Sequence, residues 1–199
     1  MVPQQPDGAD DPLVVLETAR ETRGESVRFE LTFHPGKGAT GDEFGLDHEP
    51  WPIDFPTEHV HPKQTEHWRV LSGKLATAFE DSEETLGPGD AVTLPAGIPH
   101  RVWNPHPEPS RVELEFCPAL DAQELTETLY MLAQLGETGK GGRLKVLQFA
   151  VTVAAYPDQL YPTGAPIGVQ KMLAHLLAPV GRRLGYRERY DLTSLDCEP

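Results

Sequence analysis

Two stretches decide the fold: residues 59–73 read HVHPKQTEHWRVLSG, and residues 89–104 read GDAVTLPAGIPHRVWN. Their defined positions are spaced as H-x-H-x4-E-x6-G and G-x5-P-x-G-x2-H-x3-N. Residues i and i+2 of a β-strand point to the same face, so His59 and His61 would converge on one point. Glu66 follows after a short turn, and His100 arrives from a second hairpin. Three imidazoles and one carboxylate suit a divalent transition metal, and we predict a metal site formed by these four residues.

The two spacings resemble the two signature motifs of the cupin superfamily, and the resemblance extends over roughly residues 20 to 118. The first motif differs only at its leading glycine, where this chain has Ile53, and the second motif matches throughout. The resemblance implies a mainly β fold, the double-stranded β-helix or cupin jelly-roll barrel. It further implies that Glu66 either stays bound to the metal or swings away to act as a base. Glu66 is therefore also the candidate catalytic residue.

Short strands separated by Gly, Pro and Asp predict a barrel domain over residues 13–118. The clearest strand is Ser26–Phe33, in which apolar and polar residues alternate, and Arg111–Phe116 repeats this pattern. Period-two alternation is typical of strands with one buried face. Before the barrel, residues 1–12 are polar, acidic and proline-rich and predict a disordered tail.

Residues 35–57 form an acidic segment rich in Gly and Pro that leads directly into His59. It also carries aromatic residues, among them Phe44, Trp51 and Phe55. Long loops in compact domains are usually either functional lids or disordered. Both interpretations of this segment stay open, and the aromatic residues favour a lid beside the metal site.

After Pro118 the pattern becomes helical and predicts an α-helical extension over residues 119–199. Asp121 and Glu124 have the spacing of a capping box, which opens a predicted helix to about Leu135. Arg143–Tyr156 is nearly apolar all round and predicts a buried helix.

A third helix is predicted from an amphipathic stripe, with Pro179 expected to kink or break it late. The stripe consists of Val169, Met172, Leu173, Leu176, Leu177 and Val180. The extension would either cover an open face of the barrel or form a dimer, and a role in shaping the substrate site is the remaining alternative. A homodimer is expected.

The overall composition excludes several classes of partner. A formal net charge of −14 argues against binding to nucleic acid and to anionic membrane surfaces. The two cysteines, Cys117 and Cys197, do not form a disulfide framework or a zinc knuckle. They are expected as free thiols in a reducing cytosol, although a single disulfide stays open. The first residues do not have the pattern of a signal peptide, and a cytoplasmic location is expected.

Strand parity predicts a largely aromatic and aliphatic barrel interior. The predicted substrate pocket consists of Phe29, Leu31, Trp68, Val70, Val102, Leu114 and Phe116. An apolar pocket with one metal favours a small, flat or hydrophobic oxygenated molecule, such as a flavonoid, a polyketide or another aromatic enol.

Three functions are compatible with this site. The leading hypothesis is a metal-dependent dioxygenase of the quercetinase-like type, in which O2 is the second substrate. The second is a non-redox isomerase, cyclase or lyase that uses the metal as a Lewis acid. The third is a ligand-binding cupin without turnover. Fe, Mn, Ni, Co, Cu and Zn all suit the predicted ligands, and affinity does not choose among them.

Overall fold

The computed structural model describes residues 13–33, 58–135, 137 and 144–190. The predicted tail, the predicted lid and Cys197 lie outside these described residues. Within them, two antiparallel five-stranded sheets face each other. The first sheet has the order β1 (Leu13–Glu17), β2 (Val27–Phe33), β9 (Ser110–Cys117), β4 (Thr65–Ser72) and β7 (Ala91–Leu94). The second has the order β10 (Tyr161–Pro162), β3 (His59–Val60), β8 (His100–Trp103), β5 (Leu75–Phe79) and β6 (Ser82–Leu86). The predicted β jelly roll with a helical extension is confirmed.

The alternating pattern of β2 and β9 creates the core between the sheets. Every second residue of β2, from Val27 to Phe33, is buried, and the same holds for β9 from Val112 to Phe116. The two strands pair antiparallel with Phe29 opposite Leu114, so their buried side chains share one face. The rings of Phe29 and Phe116 pack edge to face with centroids 6.3 Å apart.

The glycine that closes the first motif is required by the geometry of the turn between β4 and β5. Gly73 has a φ of +78°, which L side chains rarely adopt. A Cβ atom at this position would lie 2.4 Å from Oγ and 2.8 Å from Cα of Ser110. Ser110 is held there because its hydroxyl accepts a hydrogen bond of 2.8 Å from the backbone N–H of Lys74. Both the backbone conformation and the close approach of β9 therefore exclude a side chain.

The first predicted helix is present as α1 (Ala122–Gln134), but its predicted capping box is wrong. Asp121 is the N-cap residue, yet its side chain forms no capping hydrogen bond. Its φ of −101° and ψ of 25° lie outside the extended region in which an N-cap side chain reaches back to the first turn. The correct spacing of two side chains thus did not supply the backbone conformation that a capping box needs.

The other two helices are α2 (Val146–Ala155) and α3 (Ile167–Arg183), and they pack closely against each other. α2 buries its middle residues, including Val151, as the apolar sequence predicts. The buried residues of α3 are Ala174, Ala178 and Gly181. A Cβ atom at Gly181 would lie 2.7 Å from Cγ2 of Val151, so small residues set the distance between the helices.

The apolar stripe of α3 is largely exposed instead of packed against the described residues. Val169, Met172, Leu173, Leu176 and Val180 are all more than 40% exposed, and only Leu177 is partly buried. Hydrophobic periodicity marks an apolar face but does not identify what covers it. Pro179 was expected to kink or break this helix, and a break is wrong, because the helix continues to Arg183. Among the described helices, none is both long and apolar enough to cross a lipid bilayer.

The helical extension also contributes a strand to the barrel. β10 pairs antiparallel with β3, with Tyr161 opposite Val60 and Pro162 opposite His59. Helix α3 is tied to this strand, because the side-chain amide of Gln170 donates a hydrogen bond of 2.9 Å to the carbonyl of Pro162. A segment that follows the barrel in sequence therefore completes the sheet that carries the first predicted ligand.

Candidate metal centre

Three strands and one turn bring the four predicted ligands together. His59 on β3 lies directly opposite His100 on β8, and Glu66 lies near the start of β4. His61 follows β3, where its carbonyl accepts a hydrogen bond of 2.8 Å from the backbone N–H of Gly97. This bond joins the turn of the second motif to the first motif. One ligand atom from each of the four side chains lies within 4.8 Å of the others.

All four side chains are buried, with exposed fractions between 1% for His100 and 6% for His59. The rings of His59 and His100 have centroids 4.5 Å apart, and those of His61 and His100 are stacked at 5.7 Å. Ligand atoms bound to one ion are at most about 4 Å apart, because each metal–ligand bond is about 2 Å long. The cluster is therefore already close to the size of a mononuclear site. Among the described residues, this is the one group of His, Cys, Asp or Glu side chains that could hold a metal ion.

The electrostatics of the cluster favour an ionised Glu66. Burial raises the pKa of the Glu66 carboxyl, but His61 and His100 outweigh this effect and hold its pKa well below the usual value. Oε1 lies 2.9 Å from Nε2 of His61, and Oε2 lies 3.3 Å from Nε2 of His100. Burial lowers the pKa of His100, whereas contact with Glu66 and its charge raise that pKa more strongly, so the net pKa is raised.

An unpaired polar atom tests whether a metal fits this cluster. Nε2 of His100 is buried and forms no hydrogen bond in the described part of the chain, although Oε2 of Glu66 lies 3.3 Å away. Buried polar atoms are rarely left unpaired, so this nitrogen indicates a missing ligand. Nδ1 of His100 lies 2.9 Å from the carbonyl of Ile98, and since a carbonyl only accepts, Nδ1 carries the proton. This bond leaves Nε2 available for a metal, as is typical of histidine ligands. The cluster fits a divalent metal site.

A cavity of about 40 Å³ opens beside the cluster, and its wall is mostly apolar. A cavity of this size holds a few water molecules or the end of a small molecule. It is lined by three of the candidate ligands, His59, His61 and Glu66, and by Trp68, Val102, Leu114, Phe116, Leu125, Thr126, Leu129 and Leu160. The apolar members place a hydrophobic environment directly next to the buried carboxylate.

The structure divides the seven predicted pocket residues into two groups. Trp68, Val102, Leu114 and Phe116 line the cavity, whereas Phe29, Leu31 and Val70 lie in the hydrophobic core without reaching its wall. Strand parity places all seven inside the barrel, but the interior of a small barrel is filled mainly by packed side chains.

Sequence reasoning missed the part of the wall that the extension supplies. Leu125, Thr126 and Leu129 come from α1, and Leu160 comes from the segment before β10. The amphipathic pattern of α1 indicates a buried face, but the pattern does not show that this face borders the cavity. Helix α1 therefore shapes the site.

Comparison with known proteins identifies the domain that carries this site. Residues 51–117, about a third of the 199 residues, match the family model described as Cupin domain. This span includes all four candidate ligands. The chain thus contains a cupin domain, and the His-His-Glu-His cluster within that domain fits a divalent metal site.

Individual relatives resemble only parts of the chain. A protein from Arthrobotrys oligospora named as an oxidoreductase is 45% identical over 49 residues, which are 24% of this chain. The chain spans only 19% of that protein. Similar solved structures include KdgF from a Halomonas species, with 20% identity, a TM-score of 0.41 and coverage of 56% of this chain and 81% of that chain. Another is a predicted oxalate decarboxylase from Thermotoga maritima, with 13% identity, a TM-score of 0.41 and coverage of 53% and 78%.

Proposed function

We propose that this cupin is a metal-dependent dioxygenase of the quercetinase-like type that acts on a small, largely apolar oxygenated molecule. The observation that carries the proposal is the buried His59, His61, Glu66 and His100 cluster at the wall of an apolar cavity. The relative named as an oxidoreductase adds weak support for redox chemistry.

The protein residues have distinct parts in the proposed function. His59, His61, Glu66 and His100 would hold one divalent metal, which supplies Lewis-acid or redox chemistry to a bound oxygen atom when present. Glu66 stays ionised because of its imidazole neighbours, so it offers a negative ligand without first losing a proton. The apolar wall excludes water and favours the hydrocarbon part of the substrate. Thr126 is a polar lining residue outside the ligand set, and we expect its hydroxyl to orient a substrate oxygen.

The cavity indicates which part of a substrate can reach the cluster. Its volume of about 40 Å³ accommodates the oxygen-bearing end of a molecule. Small enols and 1,3-diketones are therefore first candidates alongside flavonols. The part of the substrate that enters should be apolar apart from the oxygen atoms that reach the ligand cluster.

Oxygen uptake tests this proposal directly. Protein reconstituted separately with Fe(II), Mn(II), Co(II) or Ni(II) is mixed with acetylacetone or quercetin in a closed oxygen-electrode cell, and products are followed by mass spectrometry. We expect oxygen consumption matched by loss of substrate. The matched control is the His100→Ala variant in the same metal solution, which corrects for oxidation by free metal. Uptake that is equal in both proteins would contradict the proposal.

A non-redox isomerase, cyclase or lyase is the second candidate, favoured by the ionised and buried Glu66, which could also act on a substrate proton. Substrate conversion under anaerobic conditions, with no oxygen uptake in air, would favour it. Saturable binding of a probe without any product would favour the third candidate, a ligand-binding cupin.

A further inference from the structure

We propose that Trp68 is a positioning residue that holds the Glu66 carboxylate at the metal centre and keeps Glu66 a permanent ligand. This inference rests on the proposed metal-dependent function. The sequence predicts Trp68 only as part of the substrate pocket.

One hydrogen bond joins Trp68 to Glu66. Nε1 of Trp68 donates to Oε2 of Glu66 at 2.8 Å, and both side chains are at most 3% exposed. An indole N–H is only a donor and a carboxylate is only an acceptor, so the direction of this bond does not depend on a protonation state. Hydrogen bonds to a charged acceptor are about twice as strong as neutral ones. The hydrogen bond from Trp68 therefore restrains the position of the Glu66 carboxylate.

The Trp68 ring is itself held firmly, because β4 is paired with a strand on each side. Trp68 is opposite Val92 of β7 on one side and Leu114 of β9 on the other. Its ring packs edge to face against Phe33, with centroids 5.7 Å apart and an interplanar angle of 87°. Glu66 and Trp68 are two residues apart on one strand and thus share the inner face.

The two carboxylate oxygen atoms of Glu66 have different partners. Oε1 lies beside Nε2 of His61, whereas Oε2 receives the Trp68 N–H and lies beside Nε2 of His100. If Glu66 swung away to act as a mobile base, the indole N–H would be left buried without a partner. An unpaired buried donor is unfavourable, so the Trp68 bond favours the role of ligand over that of a mobile base.

The test measures metal affinity, which does not require a known substrate. Apo-protein is titrated with Co(II) in competition with a chromophoric chelator, for the wild type and for Trp68→Phe. The phenylalanine keeps an aromatic ring but removes the N–H. We expect Co(II) affinity to fall 10- to 100-fold, as is typical when an outer partner of a metal ligand is lost. An unchanged affinity in Trp68→Phe would overturn the proposal.

Trp103→Phe is the matched control. Trp103 is half-buried on β8, where the guanidinium of Arg101 lies 4.7 Å from its ring centroid, and it does not line the cavity. This substitution should leave Co(II) affinity unchanged. A loss in Trp103→Phe equal to that in Trp68→Phe would mean that general loosening of the barrel explains both effects, and it would overturn the proposal.

A double-mutant cycle tests whether Trp68 acts through Glu66. In the Glu66→Ala background the N–H has no carboxylate to hold, so Trp68→Phe should change Co(II) affinity less than twofold. The same 10- to 100-fold loss in both backgrounds would overturn the proposed route of action. A wild-type protein that binds no Co(II) would instead remove the proposed metal-dependent function, and this inference would fall with it.

A measurement on the wild-type fold keeps the inference testable if Trp68→Phe does not fold. The chain has three tryptophans, so Trp51→Phe and Trp103→Phe assign the indole N–H resonance of Trp68 by elimination in a ¹⁵N-¹H NMR spectrum. We expect this resonance to keep the downfield position of a hydrogen-bonded N–H after Zn(II) is added. A shift to the position of a non-bonded indole would overturn the proposal.

Discussion

Replacement of Gly73 by alanine should destabilise the barrel more than the same change at Gly89. Both glycines belong to the ligand motifs and both have positive φ, +78° and +92°. A non-glycine residue in this conformation costs about 1–2 kcal/mol, and this cost applies to both variants. At Gly89 a new Cβ atom meets nothing within 4 Å. At Gly73 it meets backbone and side-chain atoms of Ser110 at 2.4–2.9 Å, and such overpacking adds about 1–3 kcal/mol.

Gly89→Ala should therefore lose about 1–2 kcal/mol of unfolding free energy, and Gly73→Ala about 2–5 kcal/mol. For a chain of this length each 1 kcal/mol lowers Tm by about 2–4 °C. The assay is urea unfolding followed by circular dichroism, with the denaturant slope compared between variants to confirm that the unfolded states are alike. Removal of the Ser110 hydroxyl, as Ser110→Ala, should rescue Gly73→Ala only in part, because Cα of Ser110 also lies 2.8 Å away. Equal destabilisation of the two glycine variants would refute the reasoning from the Ser110 contact.

Three further predictions follow from other parts of the molecule. His100→Ala should abolish stoichiometric metal binding with little loss of circular dichroism signal, because the His100 ring is one of the four predicted ligands. Normal metal content of this variant in elemental analysis would contradict the assignment. Burial, followed by the charges of Glu115 and Glu25, raises the pKa of Cys117 above its usual value. In a Cys197→Ser protein its iodoacetamide reaction should therefore be slow at neutral pH and accelerate only as pH rises through that raised pKa, whereas a midpoint at or below that of a free thiol would be inconsistent. The exposed stripe of α3 favours the predicted homodimer, so Leu176→Glu should shift sedimentation velocity profiles from dimer to monomer. His175→Glu on the same helix is the control and should leave the dimer intact. A monomeric wild type would disprove the dimer.

The sequence was sufficient for the features that have a fixed local periodicity. Alternation along β2, β4 and β9 predicted which residues face inward, and burial follows that pattern from Glu66 through Val70. The motif spacing predicted which four side chains meet, and three of them, His59, Glu66 and His100, lie on strands while His61 directly follows β3. Helix α3 was recognisable from its apolar periodicity and α2 from its apolar composition, whereas the capping box that predicted the start of α1 is not formed.

The features that the sequence did not predict depend on contacts between distant elements. The exposed stripe of α3 could not be distinguished from a packed one, because Ala174, Ala178 and Gly181 on its other side give almost no hydrophobic signal although they form the contact with α2. The cavity wall supplied by Leu125 and Leu129 depends on where α1 lies against the barrel. The hydrogen bond between Trp68 and Glu66 depends on the rotamers of both side chains. Strand alternation predicts only that both side chains face inward.

The pairing of β10 with β3 has a consequence for how the protein acquires its site during synthesis. A ribosome releases the residues of both ligand motifs long before it releases Tyr161 and Pro162. Until then the edge of β3 beside His59 lacks its hydrogen-bonding neighbour, and an unpaired strand edge can bind to other chains. The nascent barrel would therefore contain all four ligands while the sheet that carries His59 and His100 is still incomplete, and release of residue 162 would complete that sheet. Order of synthesis thus separates the appearance of the ligands from the completion of the sheet that positions His59 and His100.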